Sequence, residues 1–138
     1  MVSGGIETSK LRFIIGMNRI INIKNFTEKY INFFNSEFGT PESKYRFFDT
    51  DSFPNDCRSL GLEMDCGHGF IEAYGMEAWR STEGLRAAID GMDDVMIIGS
   101  GLFSKWRDYN HWSSPSDAND DTKEWFLILL KRIQEISQ

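Results

Sequence analysis

A mainly α-helical single domain of five to seven helices, several of them short, is the fold this sequence predicts. Three observations predict it. Aromatic and aliphatic residues recur at three- and four-residue spacing over most of the chain. Capping signatures, in which Ser, Thr, Asn or Asp precedes an acidic residue, stand ahead of several of these runs. Glycines at 39, 75 and 91 stand where those runs end. The alternative is an α+β fold with one or two short strands near 61–65 and 94–98.

Residues 1–16 read as a flexible N-terminal extension or vector-derived segment, ahead of a helical domain over 17–138. The first convincing helix starts at Asn25, where Asn25-Phe26-Thr27-Glu28 has the form of a capping box. Phe26, Tyr30, Phe33, Phe34 and Phe38 follow at helical spacing, and Gly39 is the natural stop. Thr40-Pro41-Glu42 has the cap, N1 proline and first-turn acid of a short helix through about Phe47. Ser52-Phe53-Pro54 opens another, to about Leu60. Phe70, Ile71 and Tyr74 lie on one helical face before Gly75. Ser81-Thr82-Glu83 begins a helix carrying Leu85, Ala88 and Ile89, closed near Gly91.

The segment from Asp93 to Trp112 admits two readings. Val95 to Ile98 alone reads as a buried strand, with Gly99-Ser100-Gly101 turning into a helix. Preferred is one long helix capped by Asp93, with Val95, Ile98, Leu102, Phe103 and Trp106 on one face and the glycines permitting close helix contact. The last element is the clearest. Asp121-Thr122-Lys123-Glu124 is a capping box, and Trp125, Phe126, Leu129, Leu130, Ile133 and Ile136 form a buried face. Lys131 and Arg132 lie toward its C-terminal end, where positive charge suits the helix dipole.

Composition bounds the function. The 138 residues are 41% hydrophobic and 26% charged, ordinary values for a chain that folds around its own core. The unusual value is 14% aromatic, and helices this short use large rings to fill a core. A net charge of −6 repels phosphate backbones and argues against nucleic-acid binding. No window has transmembrane length, so no membrane partner is expected. Two cysteines, Cys57 and Cys66, are too few for a secreted disulfide scaffold, and with no signal-peptide core the expected setting is the cytoplasm.

Two clusters bear on chemistry. Asp65-Cys66-Gly67-His68 gathers soft and hard ligands, and Cys57, Cys66, His68 and His111 reach a zinc-site count only if the fold brings them together. The same residues, with nearby carboxylates, are the only material for a Cys–His nucleophile. The plainer reading is a buried cysteine beside a solvent-facing histidine. The second cluster is Phe103 to Trp112. In a helix, Arg107 and His111 are i,i+4 neighbours able to hold an anion or carboxylate, and Trp106 and Trp112 are interface anchors. The plainer reading puts both indoles in the core. Asp117 to Asp121 fails as a calcium loop, since Thr122 and Ile128 stand where glycine and glutamate are needed. Gly99-Ser100-Gly101 lacks the rest of a phosphate loop.

Cys57-Arg58-Ser59-Leu60-Gly61-Leu62-Glu63-Met64-Asp65-Cys66-Gly67, Gly99 to Arg107 with its Phe103-Ser104-Lys105-Trp106-Arg107, then His111-Trp112 and Glu124-Trp125-Phe126 together carry a pattern. It resembles a family of uncharacterised small bacterial proteins over about residues 50–135. The resemblance implies a bacterial, cytoplasmic protein, assigns no activity or catalytic residue, and suggests that Ala is acceptable where Gly101 stands.

The functional expectation is a non-enzymatic binding or regulatory module for a protein or small molecule, with no cofactor. Its recognition face would comprise Trp106, Arg107, His111 and Trp112, with Asp65 and His68 beside it; a homodimer is a further option. The alternative is a small enzyme or metal-binding protein using Cys66, His68, His111 and nearby carboxylates.

Overall fold

The computed structural model describes residues 23–36, 52–62, 67–112 and 120–137, with backbone only for 110–112. Seven α-helices lie among the described residues: α1 (23–36), α2 (Ser52–Ser59), α3 (His68–Tyr74), α4 (Met76–Arg80), α5 (Thr82–Ala88), α6 (Val95–Trp112) and α7 (Asp120–Ile136). A 3₁₀ turn at Ile89–Gly91 extends α5. The described residues form no strand, and 95–98, read alone as strand, are the first turn of α6. Of the alternative strand at 61–65, residues 63–65 lie outside the described residues. So do the extension over 1–16 and the short helix expected at 40–47.

α1 is helical already at Ile23, so Asn25 is an exposed residue inside the helix and not its cap. Ile23 is only 9% exposed and sits one turn before buried Phe26, so burying it draws the earlier turn into the helix. Thr27 bonds back to the Lys24 carbonyl at 2.9 Å. Phe26, Tyr30 and Phe34 are buried and Phe33 partly so; Phe38 lies outside the described residues.

α2 takes Pro54 in its first turn, where a missing N–H costs nothing. It closes through a Schellman pair: Leu62 N–H donates to the Cys57 carbonyl at 2.8 Å and Gly61 N–H to Arg58 at 3.0 Å. The left-handed residue this requires is Gly61, φ 71°. The motif buries Leu62 next to the core.

α3 ends at Gly75, φ 98°, and α4 begins at once. Sequence periodicity gave no sign of α4, because five residues are too few to show a period. The Ser81 cap is present as expected, its hydroxyl accepting from Gly84 N–H at 2.9 Å. At the start of α6 the cap is Asp94, one residue after the expected Asp93: its carboxylate accepts from Met96 at 2.9 Å and Ile97 at 3.2 Å. Ile98, Leu102, Phe103 and Trp106 are buried along α6 as their spacing predicts.

Leu62 and the Phe70 ring press against α6 where glycines leave room. A Cβ on Gly99 would stand 2.5 Å from a Leu62 methyl, and one on Gly101 2.5 Å from the Phe70 ring. An Ala at 101 in this chain would require the Phe70 ring to shift.

α7 lies against α6 and α5. Its helix starts at Asp120, so Asp121 belongs to its first turn instead of capping it, and accepts the Thr82 hydroxyl at 2.6 Å. No basic residue falls in its last turn. Arg132 instead donates to the carbonyls of Met92, at 2.8 Å, and Asp90, at 3.3 Å, closing the end of the 3₁₀ turn. A wall of rings joins α1, α2 and α3 to α7. Phe34 stacks on Phe126 at 4.9 Å, Tyr30 meets Phe53 edge-on at 4.9 Å, and Phe70 lies 6.0 Å from Trp125.

Candidate functional site

Lys105 is the side chain whose position needs most explanation. It stands on α6 between Gly101 and Tyr109, one turn apart on each side, and α6 is buried there. A long cation at such a position either snorkels to water or finds compensation. Its Nζ lies 4.2 Å from the ring centre of Trp79 and 4.6 Å from that of Trp125. It also donates to the Trp79 backbone carbonyl. Burial pushes the ammonium down to about 8, against opposing pulls from the Asp108 and Asp121 carboxylates. The faces of the two indoles favour the charged form, so they act with the carboxylates and against burial.

The two indoles are held from several directions. Trp125 Nε1 donates to the Ala78 carbonyl at 3.0 Å, and the two rings meet edge-on at 5.9 Å. Trp79 also packs over Gly67, whose φ of 85° and lack of a side chain admit the indole edge. α4 thus carries Trp79 and its carbonyl to Lys105 and places Arg80 in the same lining.

Around Lys105 opens a cleft of about 130 Å³, lined by Arg80, Lys105, Tyr109, Asp121, Thr122, Trp125 and Phe126. The Tyr109 and Thr122 hydroxyls hydrogen-bond to each other across α6 and α7. Arg80 is largely exposed and lies 3.9 Å from the Glu77 carboxylate, itself exposed. The cleft thus presents one guanidinium, one amine and one carboxylate against aromatic walls.

A second hollow of about 240 Å³ lies between α1 and α2, beside Lys29, Asp56, Ser59 and Leu60. Here charge is already matched. Lys29 pairs with Asp56 at 2.8 Å, and Tyr30 donates to the same carboxylate at 2.6 Å. Burial and the Asp56 bond together hold the Tyr30 hydroxyl well above its ordinary range. The cluster stitches α1 to α2 and leaves little for a ligand.

Of the recognition face expected from sequence, Trp106 is 9% exposed and packs at 6.0 Å from Phe103 and 6.1 Å from Phe53. It is a core residue. Arg107 is half-buried, its guanidinium 5.8 Å over the Phe103 ring, which Arg58 approaches at the same distance. Helix α6 continues to Trp112, so positions 107 and 111 are one turn apart along the backbone. The side chains of His111 and Trp112, and all of Asp65, lie outside the described residues. His68 is exposed at the start of α3.

Of the candidate metal set, Cys57 is fully buried in α2, whereas His68 faces solvent. Cys66 lies outside the described residues, and no three His, Cys, Asp or Glu side chains converge among the described ones. No described helix is long and apolar enough to cross a membrane.

The residues of the Lys105 cleft went unnoticed as a set in the sequence. A signal was present: Lys105 is the first charged residue after the stretch 95–104, and it lies one turn from both Gly101 and Tyr109. Its partners on α4 and α7 become visible only in three dimensions. Comparison with known proteins finds no family model, curated protein or solved structure that matches this chain significantly.

Proposed function

We propose that this protein is a non-enzymatic binding module for a small carboxylate, taken up in the cleft between α4, α6 and α7. One observation carries the reading: the Lys105 ammonium is held between two indoles at a cleft that also presents Arg80. Holding a cation in such a place costs desolvation that a purely structural role would avoid by using an apolar side chain. An incoming carboxylate returns that cost, because Arg80 supplies a planar fork and Lys105 a point charge. The size of the cleft favours a compact ligand. About four non-hydrogen atoms at roughly 1 kcal/mol apiece correspond to about millimolar binding for the smallest acids.

The pairing of Arg107 with Arg58 around Phe103 is a separate cationic surface, closer to the face expected from sequence. It suits the acidic side chains of a protein partner and supports the regulatory half of the same reading. The setting that fits is a reducing bacterial cytoplasm, supported by a cysteine content of two, too low for a disulfide scaffold, and by the sequence resemblance.

Acetate, propionate and their neutral amides, titrated against intrinsic tryptophan emission, test the cleft, since Trp79 and Trp125 border it. Saturable quenching by the acids and none by the amides is expected. Lys105→Met and Arg80→Gln should each weaken the response about tenfold, the loss of one charge-assisted hydrogen bond. Equal responses to acids and amides would overturn the reading.

A further inference from the structure

The chemistry at Nζ goes beyond charge. An amine becomes a nucleophile when its proton leaves, and a lysine sunk among apolar walls loses it most readily. Three arrangements meet at Lys105. The Trp79 carbonyl and the two indoles fix where Nζ sits. The cleft gives a reactant access to it. Arg80 stands in the same lining, placed to hold a carboxylate, while Asp121 lines it as well and already acts on the Lys105 charge.

We propose that Lys105 captures compact 2-oxo acids covalently and reversibly, as an imine, with Arg80 pairing to the acid's carboxylate. This deepens the carboxylate reading and rests on it. The neutral amine attacks the carbonyl carbon and a C–N bond forms as the C=O π pair moves to oxygen. The resulting ammonium passes one proton to the Asp121 carboxylate, which hands it to the alkoxide, giving a neutral carbinolamine. The hydroxyl takes a proton from solvent and leaves as water while the nitrogen lone pair closes the C=N bond, giving the protonated imine. The net change is amine, carbonyl and one proton to protonated imine and water, with nothing oxidised or reduced. The aromatic walls slow the return of water to the imine.

The protonation balance favours the step. At pH 7.4 an ordinary lysine presents roughly one neutral amine per thousand. With its proton lost near 8, Lys105 presents roughly one in five. Lower basicity also lowers intrinsic reactivity, so the net advantage over surface lysines is about tenfold rather than the full ratio.

Pyruvate with cyanoborohydride, which delivers hydride to the imine and fixes it as a secondary amine, reads the capture by peptide mass mapping. The expected result is labelling at Lys105 about tenfold faster than at Lys29, Lys123 or Lys131, suppressed by excess acetate. Arg80→Gln should slow Lys105 labelling by pyruvate several-fold while leaving labelling by acetone unchanged. Circular dichroism on the same samples establishes that the variant is folded. Labelling spread evenly over the lysines, or insensitive to acetate, overturns the proposal. Tryptophan quenching by acetate in the absence of reductant separates the two readings. Quenching without preferred labelling leaves the carboxylate site standing and removes the covalent step; neither signal removes both.

Discussion

The backbone carbonyl of Glu77 lies against the α-carbon of Gly84, in the space that a Cβ would occupy. This contact sets how closely α4 and α5 approach, and hence where α4 delivers Trp79 and Arg80. A backbone atom cannot swing aside as a side-chain end can. Gly84→Ala is therefore expected to cost about 2–4 kcal/mol and to disturb the Lys105 cleft along with the fold. Gly91→Ala is the control, because a Cβ there meets nothing within 4 Å. It should be neutral or stabilise by about 0.5 kcal/mol through the unfolded chain. Urea midpoints of the two variants decide it, and equal effects would show that the close approach is dispensable.

The glycines of α6 differ in what they face. Gly101 meets the ring of Phe70, which is fully buried with Tyr74, Trp79 and Trp125 around it. Gly99 meets the branched end of Leu62, which a change in that side chain's χ angles can move aside. Gly101→Ala should cost about 1–3 kcal/mol and Gly99→Ala less. Combining Gly101→Ala with Phe70→Leu should recover part of the loss, with a coupling of about 1 kcal/mol between the two positions. Strict additivity in chemical denaturation would place the strain elsewhere.

These contacts also mark where sequence reasoning ran out. Aromatic spacing on α1 and the buried faces of α6 and α7 were legible, because helical periodicity is a local property and those runs are long. Caps were legible in type but displaced at Asp93, where Asp94 takes the role, and at Asn25, where burial of Ile23 extends the helix. The α4 segment was not legible: its conformation follows from the packing of Ala78 and Trp79 beneath α7, a contact made 47 residues away in the Trp125–Ala78 bond. The site shared that fate. Trp106 and Lys105 are sequence neighbours, yet one faces Phe53 and the other Trp79 and Trp125. A cluster that is dense along the chain was thus divided between the core and a cleft.

The Tyr30 hydroxyl donates to Asp56 at 2.6 Å while Lys29 holds the same carboxylate at 2.8 Å. The salt bridge alone is too exposed to count for much. The tyrosine bond is the better protected, so its loss should dominate. Tyr30→Phe is expected to cost about 1–2 kcal/mol, typical of a hydrogen bond to a charged group, whereas Lys29→Met should cost under about 1 kcal/mol. Urea denaturation at neutral pH ranks the two, and the reverse order would assign the α1–α2 junction to the ion pair.

Lys105 predicts a pH dependence whose sign follows from its environment. Burial holds its proton affinity in the folded protein below that in the unfolded chain, at about 8 against 10.5. Between those values the unfolded chain carries the proton and the folded protein does not, so raising the pH favours folding over that window. Below about 8 both forms are protonated and the folded protein bears the full cost of the buried charge. Tyr30 acts in the opposite direction, because its raised value makes the folded protein keep a proton that the unfolded chain loses, but only above the ordinary tyrosine value of 10.0. Between pH 7.5 and 9.5 the lysine therefore acts alone of the two. The urea midpoint of the wild-type protein should climb across that interval, and that of Lys105→Met, which keeps the packing between the indoles without the charge, should climb less. Parallel slopes in the two proteins would mean that the ammonium is as well solvated in the cleft as in water, and would remove the basis for a reactive amine there.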